Sequence, residues 1–500
     1  MTKLTWGINA LNHDASLSVV DNGGNILFAA HSERYSRVKN DSRLCWPLIH
    51  EAIKFGVPSE IVWSDRPLHK TTRQMYSGQW EDVFDRPMHQ LREFRLHKLP
   101  IHFVGHHESH AAGGFWTSGF ADAAVIVVDA IGEWDTISVW HATMTHPYMK
   151  RIAVSRYPHS LGLLYSAFTQ RLGLKPNEEE YIMMGMAAYG QPKYATQIME
   201  EFIEDWGPLW MKLKRNVHRG IKDWMPNLKS SEYVHVAASV QHLTEMYLID
   251  LCRTVRGRID SPNLVFSGGV ALNCVANEKI ARSGVFDRMW VLPNPGDAGN
   301  SLGAVAAHHQ KDTLRRHLLR WKTPYLGTAI GDPESVNVRS VVDAIINEKV
   351  VGVANGRAEF GPRALGNRSL LADPRGRSTK DWVNDIKKRE RFRPFAPVIM
   401  EEHAAAYFDM PVASSPYMQF TAPCLRAESF PAITHVDKTS RVQTVNYHQN
   451  PLLYSILTEF FNRTGCPMLL NTSLNIKGEP LVNSVEDARR FQEKHRISIF

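Results

Sequence analysis

The pattern that most restricts the fold is a strand, a Gly- or Asp-bearing turn and a returning strand, met twice in the first third of the chain. In LTWGINALNHDASLSVVDNGGNILFAAHSERYSR, SLSVV alternates apolar and polar residues, NILFAA is a more continuous apolar run, and Asn22-Gly23-Gly24 joins them. Period-two alternation bounded by such a turn predicts a strand pair. Residues 121–141, ADAAVIVVDAIGEWDTISVWH, repeat the pattern around an acidic, Gly-containing turn. A third copy is read in NLVFSGGVALNCVANEKI at 263–280, ending in a helix. Turns of this kind can present backbone N–H groups to phosphates. The recurrence therefore suggests a duplicated, nucleotide-clasping α/β fold, although ordinary hairpins would give the same local signal.

At 500 residues the chain exceeds one ordinary core, so several domains are expected. In 236–255, Val240, Leu243, Tyr247, Leu251 and Val255 keep one apolar helical face. Residues 305–322 read as a basic helix, which TPYLGTAIGDPES then breaks. The domain boundary is placed there, giving a first domain at 1–325 and a second at 335–500. No stretch approaches 18 uninterrupted apolar residues, so no membrane span is expected. The N-terminus carries His and Asp where a signal peptide needs apolar residues. The five cysteines form no Cys-x-x-Cys pair, which points to a reducing cytoplasm and away from structural zinc. A net charge of +7 suits anionic ligands but is too small for this length to argue nucleic-acid binding by itself.

The stretch VGHHESHAAGGF places His106 and His110 four residues apart, about one helical turn. Asp129 ends the apolar run of VIVVDAIGE, and Asp297 lies in PGDAGNSLGA. Two imidazoles and two carboxylates would make a divalent-metal site suited to Fe(II), Mn(II) or Zn(II). A zinc protease is excluded, because Glu108 is separated from His110 by Ser109 alone, and His-Glu-x-x-His is required. The second domain concentrates Arg357, Arg363, Arg368, Arg375, Lys387, Arg389 and Arg393, followed by Arg441 and NTSLN at 471–475. These arginines alternate with Gly-Pro, Phe-Arg-Pro-Phe and Asn-Arg-Ser, which is not the composition of a solvated face. A planar guanidinium pairs with two phosphate oxygens, so a phosphate or nucleotide pocket is expected there. In the first domain, Gly132 of the acidic turn and Gly268, Gly269 and Asn273 of SGGVALN are candidates for nucleotide contacts, since glycine turns opening helices favour anions. Residues 201–230 interleave Trp206, Trp210 and Trp224 with Lys and Arg. Such a stretch either stacks nucleic-acid bases or simply packs its Trp residues.

The motifs together resemble the NodU/CmcH-type O-carbamoyltransferases. The matching strings include NHDAS, SERYSRVKND, HHESHAA, VDAIGE, EEEYIMMGMAAYG, SGGVALN, PGDAGNSLGA, EFGPRALGNRSLLADPR, KKRERFRPFAP, THVDKTSRVQTV and NTSLNIKGEPLV, in family order from residue 7 to about 490. The resemblance implies an actin/sugar-kinase/Hsp70-like (ASKHA, threonylcarbamoyl-transferase-like) first domain followed by a YrdC-like α/β domain. It implies that the second domain makes carbamoyl adenylate from ATP, with Mg, and carbamoyl phosphate. The first domain would then deliver the carbamoyl group to an acceptor hydroxyl with help from a metal, typically iron. By the match, Arg363, Arg368, Lys387, Arg393, Arg441, Asn471 and Ser473 line the adenylate-forming pocket, and His106, His110, Asp129 and Asp297 hold the metal. His13 is the candidate for assisting acceptor deprotonation, with Glu179 or Glu180 as its acidic partner.

Three departures stand out. Ala130 replaces a family glycine, and Ile182 stands where a Lys is common before Met-Gly. The chain also ends at HRISIF, shorter than typical members, so a trimmed final element is expected. The acceptor is a small molecule with a free hydroxyl, or a nucleotide or nucleic acid. A homodimer is also an open reading. Two alternatives stay in view: a threonylcarbamoyl transferase acting on tRNA, and a non-catalytic nucleotide-binding module.

Overall fold

A computed structural model describes residues 3–207, 209–312 and 319–500. It divides the chain into two units, one of Met1–Ser32 with Asn40–Lys322, the other of Glu33–Lys39 with Thr323–Phe500. Both combine helices with mixed sheets.

The first unit contains two five-stranded sheets of the same design. In one, β1 (Leu4–Asn9), β2 (Ser16–Asp21) and β3 (Ile26–His31) form an antiparallel meander. The strands β4 (Glu60–Trp63) and β5 (Ile101–Phe103) add in parallel on the far side of β1, giving the order β3-β2-β1-β4-β5. In the other, β6 (Asp122–Gly132), β7 (Asp135–Thr143) and β8 (Met149–Arg156) form the meander. A short pair, β9 (Ile203–Trp206) and β10 (Met211–Leu213), forms its own ribbon. Then β11 (Asn263–Ser267) and β12 (Arg288–Trp290) run parallel to β6, giving β12-β11-β6-β7-β8. The order and directions repeat, as the recurring hairpin pattern predicts. In the first turn the Asp21 carboxylate accepts the N–H groups of Gly23 and Asn25, at 2.8 and 2.9 Å, which fixes the reversal.

The third expected copy is not a hairpin. β11 is a lone strand followed by a 3-10 turn (Gly269–Leu272) and the helix Cys274–Arg282. The Asn273 side chain caps that helix by accepting from Ala276 N at 3.0 Å, so the expected closing helix is present, with no returning strand between it and β11. The segment therefore matches β4 in place, not β1 and β2.

The five apolar positions expected along 236–255 are all buried on the helix Tyr233–Arg256, which packs with Phe168 and Phe266 in one core. The expected basic helix at 305–322 is shorter: the helix Asn300–His309 stops at His309, and residues 313–318 lie outside the described residues. That helix crosses the helix His106–Ser118 at glycines. A Cβ on Gly303 would sit 2.0 Å from Ser109 O, and one on Gly113 would sit 3.0 Å from Gly303 Cα, so the two backbones meet with no side chain between them.

In the second unit, β13 (Tyr325–Ile330) pairs with β15 (Gly356–Glu359). The main sheet has the order β14-β16-β21-β17-β20, built from β14 (Val350–Ala354), β16 (Arg368–Ala372), β17 (Ala396–Met400), β20 (Gln443–Val445) and β21 (Met468–Ser473). β18 (Thr421–Pro423) and β19 (Thr439–Arg441) form a separate ribbon. The apolar core includes Val351, Leu370, Val398 and Leu469 of the sheet with Ile456 and Phe460 of the helix Pro451–Thr464. The segment Glu33–Lys39 belongs to this unit, with Arg34 Nη2 donating to Gly361 O at 2.8 Å and Arg37 Nη1 to Leu481 O at 2.6 Å. Among the described residues no helix is long and apolar enough to cross a membrane, and the five cysteines form no disulfide.

Candidate functional site

The helix His106–Ser118 starts after Gly105, and its first turn places His106 and His110 on one side. Asp129 comes from the distal part of β6, and Asp297 opens the 3-10 turn Asp297–Gly299 that leads into the helix Asn300–His309. All four predicted ligands converge, buried or nearly so. His106 Nε2 lies 3.1 Å from His110 Nε2, 3.2 Å from Asp129 Oδ2 and 3.3 Å from Asp297 Oδ1. His110 Nε2 lies 3.6 and 3.5 Å from the same two oxygens. Metal–ligand bonds of about 2.0–2.2 Å set neighbouring ligand atoms about 3–3.6 Å apart, so the cluster fits one divalent ion.

The surroundings fit as well. His106 Nδ1 meets Asp65 Oδ1 at 2.9 Å, which leaves Nε2 as the coordinating nitrogen. Asp65 is itself held by Asn12 and by Lys70 at 3.4 Å, and these partners keep its carboxyl ionised despite complete burial. Burial would push the His106 imidazole down, but Asp297 and Asp129 raise it well above its ordinary value, and the same carboxylates raise His110. Reciprocally, the imidazoles hold Asp129 well below the usual carboxylate range. His107, next in the chain, is no ligand: its Nδ1 pairs with Ser138 Oγ at 2.8 Å, and burial lowers it to about 3. Asp65 escaped the sequence reading, and so did Glu133, which accepts from Arg66 N at 2.7 Å and His106 N at 3.4 Å. Burial, then the charge of Asp65, pushes the Glu133 carboxyl up to about 7. The signal for Glu133 was its place in DAIGE.

The first-domain nucleotide candidates take other roles in this geometry. A Cβ on Gly132 would lie 2.4 Å from His106 Cδ2 and 2.5 Å from His107 Cδ2, so this glycine makes room for the imidazoles. Gly268 has φ +91° and donates to Pro295 O at 3.0 Å. Gly269 N donates to Asp129 Oδ1 at 3.2 Å, which orients a candidate metal ligand. Asn273 is a helix cap paired with Gln241 at 2.9 Å.

His13 sits on the β1–β2 connection, its Nδ1 2.9 Å from Asp14 Oδ2 and its buried Nε2 without a partner among the described residues. Burial lowers its pKa, but Asp14 first and Asp297 next outweigh that and raise it to about 9. Its acidic partner is thus Asp14. Glu179 and Glu180 do not fill that role: Glu179 accepts from Lys175 N at 2.8 Å, and Glu180 accepts from Asn177 N and Ser166 Oγ, each at 2.6 Å, fixing the start of the helix Glu180–Ala187. Ile182 is buried on that helix. A cavity of about 260 Å³ opens beside the centre, walled by Trp63, Asp65, Pro67, Leu68, Lys70 and Thr71.

In the second unit, Lys387 is fully buried and its Nζ donates to Ser473 O and Oγ and to Asn475 O and Oδ1, at 2.5–3.0 Å. All four acceptors are neutral. Burial, then Arg389 and Arg393, hold its pKa well below the usual lysine value. Arg393 Nη1 is 3.4 Å from Glu390. Asn471 donates to Ala364 O and Gln443 Oε1, at 3.1 and 2.7 Å, while its Oδ1 is buried without a partner among the described residues. Arg441 Nε is likewise buried and unpartnered. Arg363 is half-buried on the loop whose Leu365, Asn367 and Arg368 amides all donate to Glu359 Oε1, at 2.8–3.2 Å. Arg368 departs from its expected role. Its Nη atoms donate to four backbone carbonyls, those of Thr328, Asn355, Gly356 and Asn367, and it is 0% exposed. It ties loops to the sheet edge and presents no fork to a phosphate.

The Trp-rich stretch mostly packs. Trp224 is buried against Phe168 and Phe202, and Trp206 lies edge-on to Tyr247. Lys212 and Arg215 pair with Glu204 and Asp223. Of the three Trp residues only Trp210 is exposed, so no stacking platform forms there.

Residues 74–306 match the carbamoyltransferase N-terminus family model, and residues 342–500 match the carbamoyltransferase C-terminus model. An uncharacterised protein of Synechocystis is 32% identical over 97% of this chain and 93% of its own length. The nodulation protein NolNO of Sinorhizobium fredii is 32% identical over 96% of this chain and 76% of its own. The 3'-hydroxymethylcephem-O-carbamoyltransferase of Amycolatopsis lactamdurans is 27% identical over 97% and 96%.

Proposed function

The chain belongs to the carbamoyltransferase family, and on that premise we propose that it is an ATP-dependent O-carbamoyltransferase whose two units divide the reaction. The second unit, read as YrdC-like, makes carbamoyl adenylate. Balance requires water to release phosphate from carbamoyl phosphate; a carbamate oxygen then bonds to the α-phosphorus of ATP, and pyrophosphate leaves. The buried, uncompensated ammonium of Lys387 beside Arg389 and Arg393 supports a polyanion pocket there. Arg441, with its unpartnered Nε, and Asn471 are the further contacts proposed.

The first unit, read as of the actin/sugar-kinase/Hsp70 type from its repeated sheet order, transfers the carbamoyl group to an alcohol. The alcohol oxygen bonds to the carbamoyl carbon, AMP leaves and the alcohol proton is lost. His106, His110, Asp129 and Asp297 would hold a divalent ion: Fe(II) by family resemblance, with Mn(II) or Zn(II) compatible with the donors. Such an ion supplies a Lewis acid that draws charge from the leaving phosphate. Asp65 fixes the His106 ring, and Gly269 N–H fixes Asp129. His13 takes the alcohol proton. Asp14 first, then Asp297, hold its pKa up at about 9, so its deprotonated form, favoured as pH rises, accepts that proton. The cavity walled by Trp63, Leu68 and Thr71 lodges a small acceptor with one free hydroxyl.

The observation that carries the reading is the four-ligand cluster, complete and buried in a chain of this family. The test incubates the full chain with ATP, Mg, Fe(II) or Mn(II) and carbamoyl phosphate. Carbamoyl adenylate and pyrophosphate are followed by mass spectrometry, then a carbamoyl increment on a panel of hydroxyl compounds. No adenylate with both substrates and metal present sinks the proposal.

A further inference from the structure

Three other side chains of the first unit gather apart from the centre described above. Glu60 begins β4 and His102 is the middle residue of β5. The parallel register pairs Ile61 with Ile101 and Val62 with His102. Residues 60 and 62 face one side of a strand, so Glu60 and His102 share a sheet face. The helix Asn300–His309 packs over β1 and β4, and its last turn brings His308 to the same point. Ligand atoms of all three lie within 4.8 Å of one another. Glu60 Oε2 is 3.5 Å from His102 Nε2 and 3.6 Å from His308 Nε2, and the two rings stack with centroids 4.1 Å apart.

We infer that Glu60, His102 and His308 form a second divalent-metal site, selective for a transition ion such as Zn(II) or Ni(II). Two imidazoles and a carboxylate are the donor set of such ions, and magnesium or calcium would ask for oxygens alone. The carboxylate is pre-oriented: Thr5 Oγ1 donates to Glu60 Oε1 at 2.7 Å, with His309 Nε2 3.0 Å behind it, so Oε2 faces the imidazoles. The side chains are 40%, 23% and 21% exposed for His102, His308 and Glu60, so an ion arrives from solvent and water fills its remaining positions. Nearby Lys311 is drawn toward Glu108 Oε1, at 3.5 Å. The ion would clip two strands to the end of a helix whose opposite end follows Asp297. The site lies about 15 Å along that helix from the first centre, by the rise per residue, and shares no ligand with it. Its role is to brace the fold.

The test counts metal on the full chain, stripped with chelator and dialysed against Zn(II). Wild type should hold two equivalents, and His102→Gln/His308→Gln one. His106→Ala/His110→Ala should also hold one, and Zn(II) should still raise its melting temperature. Glu60→Gln alone should weaken the second equivalent while leaving the first, which covers the case in which the double variant fails to fold. If the His106→Ala/His110→Ala protein binds no zinc, or if the count is unchanged by His102→Gln/His308→Gln and by Glu60→Gln, the site is overturned.

Discussion

In the first unit two buried imidazoles meet two carboxylates at 3.2–3.6 Å, and each charge has an opposite beside it. In the second unit the buried Lys387 ammonium is caged only by neutral oxygens, with Arg389 and Arg393 adding to its charge. Both arrangements are buried, yet only the first is balanced from within. A balanced cluster survives without a guest and can exchange its protons for an ion. An unbalanced one costs folding energy until an outside anion compensates it. The two clusters therefore suit the different ligands proposed for them, a metal in one case and a polyanion in the other.

That contrast can be broken experimentally. His110→Ala should show the largest effect, a fall in carbamoyl transfer of about 10³-fold or more, because it removes several kcal/mol of charge stabilisation, while adenylate formation persists. Loss of both activities in this variant would end the division of labour. Lys387→Met should reduce pyrophosphate release by about 100-fold, as expected for the loss of a fixed positive charge beside a dry anionic pocket. Its melting temperature should hold within a few degrees, since it removes a charge that burial penalises. A collapse in melting temperature would make Lys387 a structural residue. Asp65→Asn should weaken metal binding by about 10–100-fold, read by competition with a chelating dye, and leave pyrophosphate release intact.

The smallest effect concerns pH. In the folded protein the Lys387 pKa lies well below the ordinary lysine value, so between the two the unfolded chain binds more protons. Stability should therefore rise with pH across that window, and this gain is lost as pH falls through the folded value. Comparing urea midpoints of wild type and Lys387→Met should show a shallower rise in the variant. Parallel slopes would mean that the ammonium is compensated after all.

Much of the candidate metal site was legible because its residues announce themselves by spacing: His106 and His110 one turn apart, Asp129 near the end of an apolar strand. The duplicated sheet was legible from its turns. The copy read at 263–280 failed because a strand running into a capped helix begins with the same apolar alternation as a hairpin. Asp65 was invisible since WSDRP carries no periodic mark and its partner lies 41 residues away. The density of arginines in the second unit could not show that the Nη atoms of Arg368 are taken up by backbone carbonyls. Composition reports charge but not burial. His13 pairs with the adjacent Asp14, where the sequence pointed to Glu179 or Glu180.

The glycine crossing between the His106–Ser118 and Asn300–His309 helices has a mechanical consequence. One helix carries both imidazole donors and the other is preceded by Asp297, so the contact of Gly113 with Gly303 acts as a calliper on the cage. The contact resists compression, so the helices cannot close further around an ion that needs shorter bonds, and separating them for one with longer bonds, such as calcium at about 2.3–2.6 Å, would forfeit this backbone packing. Discrimination by ionic radius is thereby written into a helix crossing, upstream of any preference the donor atoms express.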